Sequence, residues 1–154
     1  MSKKIIGVIS DTHGLLRPEI ISLLRGCDAI IHAGDIGSME VIDVLITIAP
    51  LYAVRGNVDK ADWADSFPLT EVVEIENTFI YILHDLGKLD LVPEAAGFQV
   101  VISGHSHIPK VEKKNGVMYL NPGSAGPKRF KLPVAAAKLI IDGKTIEAEI
   151  MTVG

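Results

Sequence analysis

The chain has 154 residues, of which 48% are hydrophobic and 22% charged, with a net charge of −4 and a sequence pI of about 5.7. One globular domain is expected, able to bury about 70% of the surface its unfolded form exposes. A disordered polar chain is excluded, and so is the basic field that holds an extended nucleic-acid backbone.

Cys27 is the single cysteine, which excludes an internal disulfide and thiolate zinc clusters and fits a reducing, cytoplasmic setting. The basic start "MSKK" precedes an apolar run too short for a signal-peptide core. The most apolar window, 41–54, contains Asp43 and Pro50 and falls short of the roughly 20 residues of a membrane span. A soluble protein without membrane partners is expected, and its apolar surplus leaves room for a homo-oligomeric interface.

In chain order, the apolar periodicity predicts a strand over 4–10, a helix opening at Pro18 and running to about Arg25, and a strand over 29–33. A helix over 38–48 and a strand over 51–55 complete a βαβαβ start with parallel strands. Strands follow at 70–76 and 78–84, then a short helix within 89–97 and a strand over 98–103. Asn115-Gly116 and Asp142-Gly143 mark the turns of two hairpins, the second spanning 134–153. With no linker and no repeat, helix–strand units and hairpins must share one core, and two sheets packed face to face with helices outside satisfy that pattern.

Five of these strands end on side chains that bind metals: Asp11 and His13, Asp35, Asn57, His84, and His105 with His107. Ligands collect outside the carboxyl ends of parallel strands, so the seven residues are placed to converge. Carboxylate, amide and imidazole together suit Mn, Fe, Zn or Ni rather than Ca or Mg. Seven donors exceed one tetrahedral ion and suit two ions sharing a carboxylate. Such a pair ionises a water and clamps phosphoryl oxygens, which points to phosphoester hydrolysis. Gly34, Gly56 and Gly104 flank the ligands where close backbone approach is needed. In an extended i, i+2 arrangement His105 and His107 would share one face, with Ser106 turned away.

The motifs "SDTHG" (10–14), "HAGDI" (32–36), "VRGNVD" (54–59), "LHDLG" (83–87), "SGHSH" (103–107) and "NPGS" (121–124) resemble, in order, those of the calcineurin-like metallophosphoesterases, in their small single-domain phosphodiesterase branch. The resemblance implies one domain over 1–154, an α/β four-layer αββα sandwich of two mixed sheets flanked by helices. It implies that Asp11, His13, Asp35 and His107 hold one divalent ion and Asp35, Asn57, His84 and His105 a second, with Asp35 the bridge. Mn is the first expectation, with Ni, Fe or Zn as alternatives. Asp35, Asn57 and His105 are expected to serve catalysis as well, in the hydrolysis of a small phosphodiester by a metal-bridging hydroxide. A phosphomonoesterase or phosphoprotein phosphatase is the alternative within enzymes, and a protein-binding scaffold of the same fold, like the retromer subunit, is the alternative outside them.

Two positions depart from the family pattern. Val58 stands where many relatives carry a histidine that protonates the leaving group or contacts phosphate, and it does neither. Esters with good leaving groups are therefore the expected substrates, unless a water or a group such as Asp59 donates the proton. Asp85 follows His84 where glycine is common, and is read as a loop cap. His32 is read as a satisfied core histidine. Ser106 lacks the closing glycine of a nucleophile elbow, and no dinucleotide or P-loop motif follows the first strand. Trp63 with Phe67 reads as core or cap, and Lys128 and Arg129 are left outside the site.

Overall fold

The computed structural model describes residues 3–129 and 131–153. Ten strands form two mixed sheets of five. In the first, β1 (Lys4–Ile9), β2 (Ala29–His32) and β3 (Leu51–Ala53) run parallel, β9 (Val134–Asp142) pairs antiparallel with β1 and β10 (Thr145–Val153) antiparallel with β9, in the order β10-β9-β1-β2-β3. In the second, β5 (Thr78–Leu83), β6 (Val100–Ile102) and β8 (Val117–Asn121) are parallel, flanked by antiparallel β4 (Thr70–Ile75) and β7 (Lys110–Lys114), in the order β4-β5-β6-β8-β7.

The sheets pack face to face through Ile6, Val8, Ile31 and Leu139 from one and Ile80, Ile82, Ile102 and Leu120 from the other, all buried. The outer face of the first sheet, with Ile9, Ile30 and Ala53, is covered by α1 (Pro18–Leu24) and α2 (Met39–Leu45) through Ile20, Leu24, Val41, Ile42 and Leu45. Burial on both faces is why β1 and β2 read as unbroken apolar runs. Pro18 opens α1, where its missing N–H has no helical partner. Over the second sheet the fourth layer is thin. A 3-10 turn at Leu86–Lys88 and the four-residue α3 (Pro93–Ala96) lay Leu89, Leu91 and Phe98 on Tyr81, Leu83 and Val101. A further 3-10 turn, Asp62–Ser66, has no counterpart in the sequence reading; its Trp63 meets Phe67 edge-on at 6.3 Å and both pack against the core. No described helix is long and apolar enough to cross a membrane.

Register places the parallel strand ends level, Ile9 beside His32 beside Ala53 in one sheet and Ile82 beside Ile102 beside Leu120 in the other. Two buried polar residues hold the loops that follow. His32 is fully buried; its Nδ1 accepts the Gly34 N–H at 3.1 Å and its Nε2 lies 2.9 Å from the Thr12 hydroxyl, which itself donates to the Ile36 carbonyl at 2.7 Å. That pattern requires Nε2–H and a neutral ring, and burial lowers its pKa to about 4. Asp59 accepts three backbone N–H bonds, from Ile36 at 3.0 Å, Gly37 at 2.9 Å and Gly56 at 2.9 Å, and so ties the loop after β2 to the loop after β3. A carboxylate engaged in this way is a clamp, which corrects its reading as a proton donor.

Asp59→Ala should cost about 3 kcal/mol, because it strands buried N–H groups; a urea midpoint equal to the parent's at equal slope would refute the clamp. His32, with a folded pKa below its unfolded value near 6.5, contributes stability that is complete above pH 6.5 and is lost as pH falls through about 4. The loss should reach about 3 kcal/mol, and NMR should find the ring neutral at pH 5. Titration near 6.5 would contradict this.

Candidate metal centre

All seven predicted ligands lie beyond the level strand ends, in loops that hydrogen bonds lock together. Asp11 N–H donates to Gly34 O at 2.9 Å, His13 N–H to Asp35 O at 2.9 Å and Gly14 N–H to Ile36 O at 2.8 Å, so the β1–β2 ladder continues past both strands. His105 N–H crosses to the first sheet's Asp11 Oδ2 at 3.1 Å, and His84 Nδ1 donates to Ala33 O at 2.8 Å in the opposite sense. Asn121 closes the arrangement, donating to Gly104 O at 3.0 Å and Ser106 Oγ at 3.1 Å.

Eight described non-glycine residues have φ in the left-handed region, and five of them are Asp11 (56°), His13 (48°), Asp35 (55°), His105 (72°) and His107 (65°). The other three, Glu76, Asn77 and Asn115, sit in hairpin turns. Left-handed backbone costs an L-residue about 1–2 kcal/mol and persists only where the surroundings enforce it. Side-chain aim, rather than chain economy, therefore sets these loops. The left-handed φ values also correct the extended reading of His105-Ser106-His107. The two rings diverge, His107 meeting His13 at 5.5 Å between centroids and His105 meeting His84 at 5.2 Å.

Each carboxylate has one oxygen held and one presented. Asp11 Oδ2 accepts from Ser10 Oγ at 2.7 Å and from His105 N–H, while Oδ1 lies 3.4 Å from His107 Nε2, 3.7 Å from His13 Nε2 and 3.8 Å from His84 Nε2. Asp35 Oδ1 accepts the Val58 N–H at 3.1 Å, while Oδ2 lies 3.2 Å from His84 Nε2 and 3.6 Å from His13 Nε2. Two groups of metal-ligating atoms result, Asp11 with His13 and His107, and Asp11 with Asp35 and His84. His105 lies outside both, its side chain half-exposed and its Nε2 4.0 Å from Asp85 Oδ2. Asn57 is exposed in the turn whose neighbouring N–H groups grip Asp35 and Asp59.

Close approach at these loops depends on missing side chains. A Cβ at Gly56 would collide with Asp35, and one at Gly104 with the Ser10 hydroxyl.

Asp11 Oδ1, His13 Nε2, His84 Nε2 and His107 Nδ1 are buried with no hydrogen-bond partner among the described residues. Buried polar atoms are almost always satisfied, so four orphans in one spot require a ligand. His84 is fixed as the Nδ1–H tautomer by Ala33 O, which leaves its Nε2 lone pair facing the carboxylates. Burial alone would lower the His84 pKa, but the Asp35 carboxylate 3.2 Å from its Nε2 and the neighbouring Asp11 override it and hold it above the ordinary value. Burial likewise favours a neutral Asp35, yet His84 and the Val58 N–H bring its pKa down to about 2. Burial lowers the His107 pKa, and the nearby Arg129 guanidinium adds to this against the opposing pull of Asp11. Two carboxylates ringed by imidazole nitrogens form a donor set suited to a divalent transition ion.

Ser10, Thr12, His32, Asp59 and Asn121 support the ligands without belonging to their sequence pattern. The readable signal was a hydroxyl or carboxyl beside a ligand at the end of an apolar strand. Asp85 is the expected cap, its Oδ1 accepting the Gly87 N–H at 2.9 Å.

Residues 5–144 match the calcineurin-like phosphoesterase superfamily domain. A probable metallophosphoesterase of Methanothermobacter thermautotrophicus is 35% identical, over 97% of this chain and 93% of its own length. Phosphodiesterase MJ0936 of Methanocaldococcus jannaschii is 28% identical over 77% of this chain and 82% of its own. Among solved structures, an archaeal phosphodiesterase superposes with a TM-score of 0.81 at 24% identity, covering 97% of this chain and 99% of that one. Vps29 of Entamoeba histolytica, complexed with zinc, gives 0.77 at 21% over 96% and 98%. By domain match and by relatives alike, this chain belongs to the calcineurin-like phosphoesterase superfamily.

Proposed function

We propose that the protein is a dinuclear, metal-dependent phosphodiesterase acting on small phosphodiesters. Four orphaned buried donor atoms on the two sheets' facing loops carry this reading. One ion would be held by Asp11, His13, Asp35 and His107 and the other by Asp35, Asn57, His84 and His105, Asp35 belonging to both sets. The distances of Asp35 Oδ2 to both His13 and His84 support the sharing, and the pairing of His13 with His107 and His84 with His105 supports the division. Asp11 Oδ1 also faces histidines of both spheres, so it takes part in holding the pair together.

Bound divalent ions supply an ionised water at neutral pH and neutralise charge on the phosphoryl oxygens. The chain's own part is to fix one oxygen of each carboxylate with donors and present the other, and to set His84 as the Nδ1–H tautomer through Ala33, so that its Nε2 faces the carboxylates. No side chain at position 58 moves a proton to the departing oxygen, since Val58 projects an exposed apolar group there. Asp59, its oxygens gripped by backbone N–H groups, does not replace it. A leaving group that departs as a stable anion therefore suits the site, and the phosphodiesterase name of the 28%-identical relative agrees. A scaffold reading draws on the likeness to Vps29, but nothing in protein docking calls for four orphaned buried donors.

Manganese should raise the melting temperature of the parent and leave Asp35→Ala unmoved, and His105→Ala should lower diester hydrolysis at least about 100-fold. Equal melting shifts in parent and variant would favour the scaffold. Bis(p-nitrophenyl) phosphate should be cleaved faster than p-nitrophenyl phosphate, and alkyl esters more slowly than either. Alkyl monoesters hydrolysed as fast as the aryl diester would show that a proton donor is present after all.

A further inference from the structure

A cavity of about 520 Å³ lies on the outer face of the second sheet and opens on the candidate metal centre at Gly104, His105 and Ser106. One wall is the thin fourth layer, through Leu86 and Leu89; the other is edge strand β7; Tyr119 lies between them. Antiparallel pairing sets Glu112 opposite Tyr119 and Lys114 opposite Val117. Leu120 and Met118, the alternate residues of β8, face the core, so the Tyr119 side of β8 faces the groove.

We propose that this groove receives the organic arm of the phosphodiester, and that the arm is a planar aromatic group of nucleoside size. This rests on the phosphodiesterase reading above. His105 belongs both to the proposed second metal sphere and to the groove lining, so a phosphorus atom at the ions has a substituent directed along the groove. The volume falls in the range of small-molecule sites, about 300–1,000 Å³. Tyr119 offers a half-buried ring backed by Leu83 and Val101, and Leu86 and Ile108 expose 41% and 52% of their surface on either side, which a flat ring would cover. Charge lies at both ends. Asp85 and Lys110, the latter opposite Asn121 and paired with Glu112 at 3.0 Å, stand at the metal end, and Lys114, opposite Val117 at the far end, has no ion-pair partner among the described residues. A flat group with polar edges fits such a groove better than an aliphatic chain does.

The test is titration of the zinc-loaded and metal-free chain with thymidine 5′-monophosphate and, separately, inorganic phosphate, followed by calorimetry and NMR. The nucleotide should bind at least about tenfold more tightly than phosphate and shift signals of Leu86, Leu89, Ile108 and Tyr119. Tyr119→Ala and Lys114→Glu should each reduce that preference, and each should raise KM for thymidine 5′-p-nitrophenyl phosphate more than for methyl p-nitrophenyl phosphate. Equal affinity for nucleotide and phosphate, or a preference unchanged in both variants while their circular dichroism stays native, overturns the groove assignment. Groove signals that respond to nucleotide in a protein that cleaves no diester would support the groove and overturn the phosphodiesterase reading instead.

Discussion

Asp11 and Asp35 are carried into the seam between two sheets, at 0% and 3% exposure, with presented oxygens that share the same histidine neighbours. Two buried carboxylates repel each other and each loses its hydration, a combination that is strongly unfavourable without compensating charge. Three features offset it here. Ser10, the His105 N–H and the Val58 N–H each donate to one oxygen. Imidazoles surround the other oxygens, and the orphaned atoms left over mark where a bound cation would satisfy them. The loops, the glycines and the supporting hydrogen bonds all serve to keep these two carboxylates in place.

The same requirement explains the backbone. Five of the candidate ligand residues in left-handed conformation are unfavourable by several kcal/mol together, and the ladder from Asp11–Gly14 to Gly34–Ile36, the Asp59 clamp and the buried His32 ring hold them there. Links between the sheets, from His84 to Ala33 and from His105 to Asp11, make the site part of the packing of the two layers. Loss of the site's geometry and loss of contact between the sheets at this end should be one event.

Much of this was readable from residue order. Strand existence and type followed from β-branched runs, and so did the position of the seven candidate residues just beyond the strands, because a strand's end is a fixed address in a parallel sheet. Helix extents were less readable: α2 is seven residues where 38–48 was expected, since Ile46 and Thr47 continue an apolar pattern after regular helix has ended. The turn at 62–66 escaped because its Trp63 and Phe67 carry no short period distinguishing a 3-10 turn from a loop. At the site, side-chain direction was not legible. Period-two reasoning placed His105 and His107 on one face, whereas left-handed φ turns them to different neighbours, and no sequence rule assigns that φ to histidine. Asp59 looked like a free carboxyl because two of its three N–H partners, Ile36 and Gly37, lie more than twenty residues away and the third, Gly56, is brought to it by the loop geometry alone.

The central claim is that the loops of the two sheets hold two cations, one beside His13 and His107 and one beside His84 and His105. Anomalous diffraction from crystals of the manganese-loaded protein tests it most directly. Two peaks are expected, both within bonding distance of Asp35, with His107 on one and His105 on the other. A single peak, or peaks away from Asp11 and Asp35, would contradict it.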